Sequence, residues 1–136
     1  MQKTPFETHE APAVAKLLGS KLIEIDRPNM TIELEFEATT EFLNPSGCVQ
    51  GGMLCAMLDD TLGPAVFAAT DFKKQGRTLD LHTHFVRPAY PGTIRGKGKV
   101  TRLGKTVAFM EGQLFDPDGK LIARATGSAM LFDFKS

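Results

Sequence analysis

The 136-residue sequence has no surplus of either charge, with 16 Lys and Arg against 16 Asp and Glu. A chain without a basic excess is poorly suited to sequence-independent nucleic-acid binding, which draws its affinity from neutralised phosphates. Cysteine is scarce. Cys48 and Cys55 are the only two, and their spacing fits neither a CxxC pair nor a zinc pattern. Two free thiols suit a reducing, cytoplasmic compartment. The first twenty residues lack an apolar leader, since Glu7, Glu10 and scattered proline interrupt them, so no signal peptide is expected. No apolar run approaches the roughly 20 residues that span a bilayer, so no membrane contact is expected. Repeats, linkers and low-complexity tracts are missing too. Residues 1–136 therefore read as a single domain, long enough for a real core. The remainder is an ordinary globular composition, 42% hydrophobic and 24% charged.

The stretch around which the chain is organised is Asn44 to Asp60, NPSGCVQGGMLCAMLDD. Asn44-Pro45-Ser46-Gly47 is turn chemistry. After Gly51-Gly52, Met53, Leu54, Met57, Leu58, Leu62, Val66 and Phe67 predict a helix to about Thr70, apolar almost all round and thus a core helix. Asp59 and Asp60 interrupt it. Burying an ionised carboxylate costs several kcal/mol, roughly, unless it is paired, and neither acid is near enough to the helix start for the dipole to help.

Upstream, residues 1 to 8 read as a frayed end. A short helix is predicted over Glu10–Leu18, with Gly19 as its stop. Strands are predicted at Lys21–Asp26 and Met30–Ala38. In the second, Met30, Ile32, Leu34, Phe36 and Ala38 alternate with Thr31, Glu33, Glu35 and Glu37, one face inward and one to water. Downstream, Lys73–Arg77 reads as a polar break. Strands follow at Thr78–Arg87, Thr93–Leu103, Thr106–Phe115 and Lys120–Phe132, the last two joined by an Asp116-Pro117-Asp118-Gly119 turn. Gly96 and Gly98 fall on the apolar face of their strand, and Arg95, Lys97 and Lys99 on the other. A helix followed by consecutive antiparallel strands implies an α+β fold with the sheet wrapped on the helix. A free sheet edge invites pairing with a second copy.

Asn44, Gly47, Gly51-Gly52 and Asp59, with the strand TLDLHTHFVRPA from Thr78 to Ala89, resemble the hotdog-fold acyl-CoA thioesterases, in particular their phenylacetate-degradation (PaaI-type) branch. The likeness covers about Phe42 to Leu131. It implies a hotdog fold, hydrolysis of an acyl-CoA to free acid and coenzyme A, no metal or bound cofactor, and a dimer or dimer of dimers. By resemblance, Asn44, Gln50 and Gly51 of one subunit meet Asp59 and Thr78 of the other. Gln50 stands where the family has His. An amide can donate a hydrogen bond but cannot carry a proton near neutral pH, so a mechanism with a His base there is excluded. A hotdog hydratase would need such a His near an acid.

Each residue type fits a task. Asp59 would orient or deprotonate water, or attack directly; Asp60, one position on, faces another way. Gly51 would aim a backbone N–H at the thioester oxygen. Asn44 and Gln50 would position substrate or water, and Thr78 would help to hold the water. Gly52, Met53, Met57 and Leu54 would line the acyl slot. Arg87, Arg102 and Lys105 would meet coenzyme A phosphates. His82 and His84 share a strand face at a spacing used by metals, but no third ligand is evident in sequence. Neither cysteine has an identifiable His partner. Gly51 and Asp59 are eight residues apart, about 12 Å along a helix, too far for one thioester carbon to touch both within one chain. The rival reading is a non-catalytic acyl-CoA-binding protein of the same fold.

Overall fold

The computed structural model describes residues 3–135. Two short helices, α1 (Pro5–Thr8) and α2 (Ala13–Leu17), precede strands β1 (Lys21–Asp26) and β2 (Thr31–Ala38). A 3₁₀ turn (Thr40–Phe42) leads through the loop to the long helix α3 (Gly51–Ala69). Four strands follow: β3 (Lys74–Phe85), β4 (Gly92–Leu103), β5 (Val107–Phe115) and β6 (Leu121–Asp133). They form one six-stranded sheet in the order β1-β2-β4-β5-β6-β3, with every neighbouring pair antiparallel.

α3 lies in the hollow of this sheet. Its Leu54, Met57, Leu58, Leu62, Ala65 and Val66 join Phe36, Ile94, Val100, Leu114 and Ile122 in one core. The helix can approach closely because glycines line its bed. A methyl group built on Gly96 would stand 2.5 Å from Thr61 Oγ1, one on Gly98 3.0 Å from Thr61 Cγ2, and one on Gly112 3.1 Å from Leu62 Cδ2. Thr61 is fully buried, and its hydroxyl donates to the Met57 carbonyl at 2.8 Å, so no polar group is stranded there.

Several expectations change at the surface. α3 is not enclosed all round: Gly52 and Asp59 are exposed, and Met53, Cys55, Ala56, Asp60, Gly63 and Pro64 are half-buried. By length and composition α3 could cross a membrane, contrary to the expectation from sequence, yet half of it is buried against the sheet as in a soluble core helix. Residues 5–8, expected to be frayed, form α1, and Phe6 sets its ring edge-on to Phe67 and Phe72. Residues 1 and 2 lie outside the described residues. The second helix is shorter than expected and begins after Pro12; Gly19, at φ +63°, ends it as anticipated. β3 starts at Lys74 instead of Thr78 and forms one edge of the sheet, with β1 at the other.

Candidate active site

Asn44 folds the loop that leads into α3. Its side-chain Oδ1 accepts from Ser46 N–H (3.0 Å), Ser46 Oγ (2.8 Å) and Cys48 N–H (3.1 Å). The Asn44 carbonyl is therefore committed to its own turn, leaving the amide nitrogen as the group free to donate outward. Gln50 is the N-cap of α3. Its N–H is tied to the Phe42 carbonyl at 2.8 Å, and its carbonyl accepts from Met53 (2.9 Å) and Leu54 (3.2 Å). Its side chain makes no capping hydrogen bond and is exposed. The N–H groups of Gly51 and Gly52 precede the helical ladder and have no acceptor within it. Gly51 sits over the Phe85 ring, and a Cβ there would come within 3.2 Å of it. A side chain would thus intrude on the floor of a cleft of about 370 Å³, which Asn44, Cys48, Gly51, Leu54, Phe85 and Arg87 line. Arg87 is anchored by Nη1 to the Leu121 carbonyl at 3.0 Å.

Two turns further along α3, Asp59 points to the inner face of β3. Thr78 Oγ1 donates to its Oδ1 at 2.6 Å across 19 residues of sequence. One carboxylate oxygen is held and the other is left toward solvent. Asp60, about 100° further round α3, turns into a groove of about 590 Å³ between the N-terminal helices and α3, lined by Phe6, Ser20, Leu34, Pro64, Phe67 and Phe134 among others. Burial there raises its pKa above the ordinary carboxylate range; a hydrogen bond from Ser20 opposes the shift, and the Asp59 charge adds to it. Pro64 has no N–H to return to the Asp60 carbonyl, which leaves that carbonyl without its helical partner.

The site residues foreseen from sequence thus fall into two groups. Asn44, Gln50 and Gly51, with Arg87, gather at the start of α3; Asp59 and Thr78 gather in its middle against β3. Gly52 is exposed at the first turn, and Met53 is half-buried beside it. Met57 is 0% exposed and packs into the core, so it lines no open slot; a periodic pattern alone does not say which face meets the sheet. Arg102, paired with Phe109 on the exposed outer face, and Lys105, in the β4–β5 turn, lie away from the cleft that holds Arg87. Two members of the basic stripe on β4 are already partnered: Arg95 reaches Glu33 and Glu35, and Lys97 stands over the Phe115 ring. The sequence reading missed the Asp60 groove and Pro64, although a proline four residues after an acid is visible in the sequence.

Comparison with known proteins shows the family and the fold. The thioesterase superfamily pattern matches residues 46–123. A protein of Saccharolobus solfataricus named as an esterase is 34% identical over 119 residues, 88% of this chain and 83% of its own length. A crystal structure of a phenylacetic-acid-degradation-related protein from Ralstonia eutropha JMP134, titled as a thioesterase, superposes with TM-score 0.86 at 41% identity, covering 93% of this chain and 96% of the other. The Escherichia coli PaaI protein shares the fold, with TM-score 0.84, 21% identity, and coverage of 93% and 89%.

Proposed function

The chain belongs to the thioesterase superfamily, with the hotdog fold of the PaaI type, and is a thioester hydrolase; we propose that its substrate is an acyl-CoA, cleaved at a site shared by two copies of the chain. The observation that carries this reading is the 2.6 Å bond from Thr78 to Asp59. It fixes an exposed carboxylate on the open face of α3, held by one oxygen and free at the other.

The free oxygen takes a proton from water as that water adds to the thioester carbon. Negative charge then develops on the former carbonyl oxygen, where the Gly51 N–H and the positive end of α3 stabilise it. Gln50 supplies a second donor from its amide. Collapse breaks the carbon–sulfur bond, and the coenzyme A thiolate leaves and takes up a proton. Asn44 shapes the loop that presents Gly51. Arg87, beside the cleft, meets the phosphates of coenzyme A, and the apolar groove that opens at Gly63 and Pro64, one turn past Asp59, is the volume available to the acyl group.

About 12 Å of helix separates Gly51 from Asp59, so the two halves of a working site come from different chains. Both halves abut β3, one of the two edge strands of the sheet, where Leu79 and Phe85 are each 54% exposed. Antiparallel pairing of two β3 edges about a two-fold axis brings the partner's Gly51 to Asp59, gives two equivalent sites and covers the open stripe of α3. Free-thiol release from a panel of short, medium and aromatic acyl-CoAs tests the reading. Asp59→Asn should lower kcat by at least about 10²-fold with the fold intact. Normal rates in both Asp59→Asn and Asp60→Asn would remove the proposed chemistry.

A further inference from the structure

The groove beside Asp60 is walled mainly by apolar side chains. Phe6 and Phe67 meet edge to face with ring centroids 5.6 Å apart, and Phe67 and Phe134 do so at 4.8 Å. Leu22, Leu34 and Pro64 continue the wall. Three polar residues of the lining, His9, Glu10 and Gln75, are exposed. Two of these already have partners: the Thr8 hydroxyl lies 3.0 Å from His9 Nδ1, and Glu10 pairs with Lys16. The other polar members, Ser20 and Asp60, are half-buried.

Asp60 brings two hydrogen-bond acceptors to this groove. One is its carboxylate, which burial leaves short of partners; the hydrogen bond from Ser20 offsets only part of that cost. The other is its main-chain carbonyl. That oxygen lies between Asp60 and Pro64, both lining residues, and position 64 has no N–H to give it. The Ser20 hydroxyl is already given to the carboxylate. Acceptors of this kind select a ligand group that donates. A carboxylate on the ligand would meet a like charge. A plain hydrocarbon filling the groove would take water from both acceptors and return nothing. An ammonium would leave water for an apolar wall at a high desolvation cost. A hydroxyl donates and is far less costly to bury.

We propose that Asp60 determines specificity: its carboxylate and carbonyl bind a hydroxyl carried on the acyl chain, so the substrate is a hydroxylated acyl-CoA. This rests on the acyl-CoA reading given above, with the groove as the acyl volume. The placement suits the task. Asp59 and Asp60 are consecutive, so their Cα atoms are about 3.8 Å apart, and about 100° of helix rotation separates their side chains. One acid thus faces the reacting carbon and the next faces the groove. Asp60, Gly63, Pro64 and Phe67 follow one another along the α3 side of the groove. The apolar wall holds the methylenes, and the hydroxyl ends on Asp60. A plain chain fits the same wall but strands both acceptors, so discrimination comes from lost hydrogen bonds and not from size. Asp60 meets the acyl chain and leaves the thioester carbon to Asp59.

The test measures kcat/KM by thiol release on matched straight-chain acyl-CoAs of butanoyl, hexanoyl and octanoyl length. Each is supplied plain, with a terminal hydroxyl and with a terminal carboxyl. In the wild type the hydroxyl should raise kcat/KM about tenfold or more over the plain chain at one length at least, and the carboxyl should lower it. Asp60→Leu should bring the hydroxyl-to-plain ratio to about one. Asp60→Asn keeps an acceptor without the charge, and Pro64→Ala returns an N–H to the Asp60 carbonyl. Each should lower the ratio several-fold with circular dichroism unchanged. If plain chains are cleaved and the hydroxyl gives no gain at any length, the proposal is overturned while the acyl-CoA reading stands. A ratio unchanged in folded Asp60→Leu also overturns it, as does one unchanged in both milder variants if the leucine chain does not fold. If no chain is cleaved, the acyl-CoA reading falls and the hydroxyl site falls with it.

Discussion

Replacing Thr78 by valine removes one hydroxyl and keeps the shape. Valine fits a strand as well as threonine does, so the backbone of β3 and its register with β6 should persist. What disappears is the 2.6 Å donor to Asp59. A hydrogen bond to a charged group contributes about 1.5–3 kcal/mol. Thr78 and Asp59 are both exposed in the single chain, so water competes and the lower end applies. About 1.5 kcal/mol of lost positioning corresponds to a roughly tenfold fall in kcat. KM should change little, because the hydroxyl touches the acid and not the thioester. Thr78→Ser, which keeps the donor, should recover most of the rate. The assay is steady-state thiol release on the best acyl-CoA of the panel, with calorimetry to verify folding. The reasoning is refuted if Thr78→Val keeps kcat within twofold, or if serine does no better than valine.

Further outcomes follow from the packing and the charges. Gly96→Val would drive a side chain into Thr61 and Phe36, 2.5 and 2.9 Å from its first carbon; it should destabilise by about 1–3 kcal/mol or more, read as a lowered melting temperature with the ladder otherwise native. Asp60 binds its proton more tightly in the folded chain than in the unfolded one, because burial raises its pKa. Its contribution to stability is full below the ordinary carboxylate range and is lost as pH rises through the raised value. Asp60→Asn should therefore lessen the drop in melting temperature between acid and neutral pH while hydrolysis continues; an unchanged pH profile would contradict this. Gln50→Ala should lose activity and Gln50→His should keep or raise it, since donation from this position is all that is asked of the residue. Wild-type kinetics in Gln50→Ala would remove Gln50 from the site.

Alternation made the fold legible where one face is buried. β2 reads directly from Ile32, Leu34, Phe36 and Ala38 against its glutamates, and Gly96 and Gly98 mark the bed of α3. The same logic hid the start of β3. Residues 74–77 include Lys74, Gln75 and Arg77, and an edge strand with much of its length in solvent has little apolar pattern to show. α1 escaped because four residues cannot display a helical period, and its Phe6 is held by partners more than sixty residues away. At the site, the acid and the glycine pair stood out locally, and the distance between them follows from helix geometry alone. That Thr78 and Asp59 share one half of the site was expected only through family likeness, with Thr78 holding the water; the hydrogen bond between them was not foreseen, because nothing in local sequence ties residues 19 apart. The full burial of Met57 and the groove around Asp60 depend on which side of α3 meets the sheet. The composition of an almost wholly apolar helix does not encode that.

The most direct measurement mixes two disabled chains. Asp59→Asn removes the acid. Gly51→Val blocks the oxyanion end, where an added Cβ would come within 3.2 Å of the Phe85 ring, so its folding must be verified first. Each homodimer should be nearly inactive. After subunit exchange, a heterodimer carries both lesions in one site and none in the other. Thiol release should then reappear in proportion to the heterodimer fraction, approaching half the wild-type rate per heterodimer. If verified heterodimers of well-folded chains remain as inactive as their parents, Gly51 and Asp59 do not serve one thioester across two subunits.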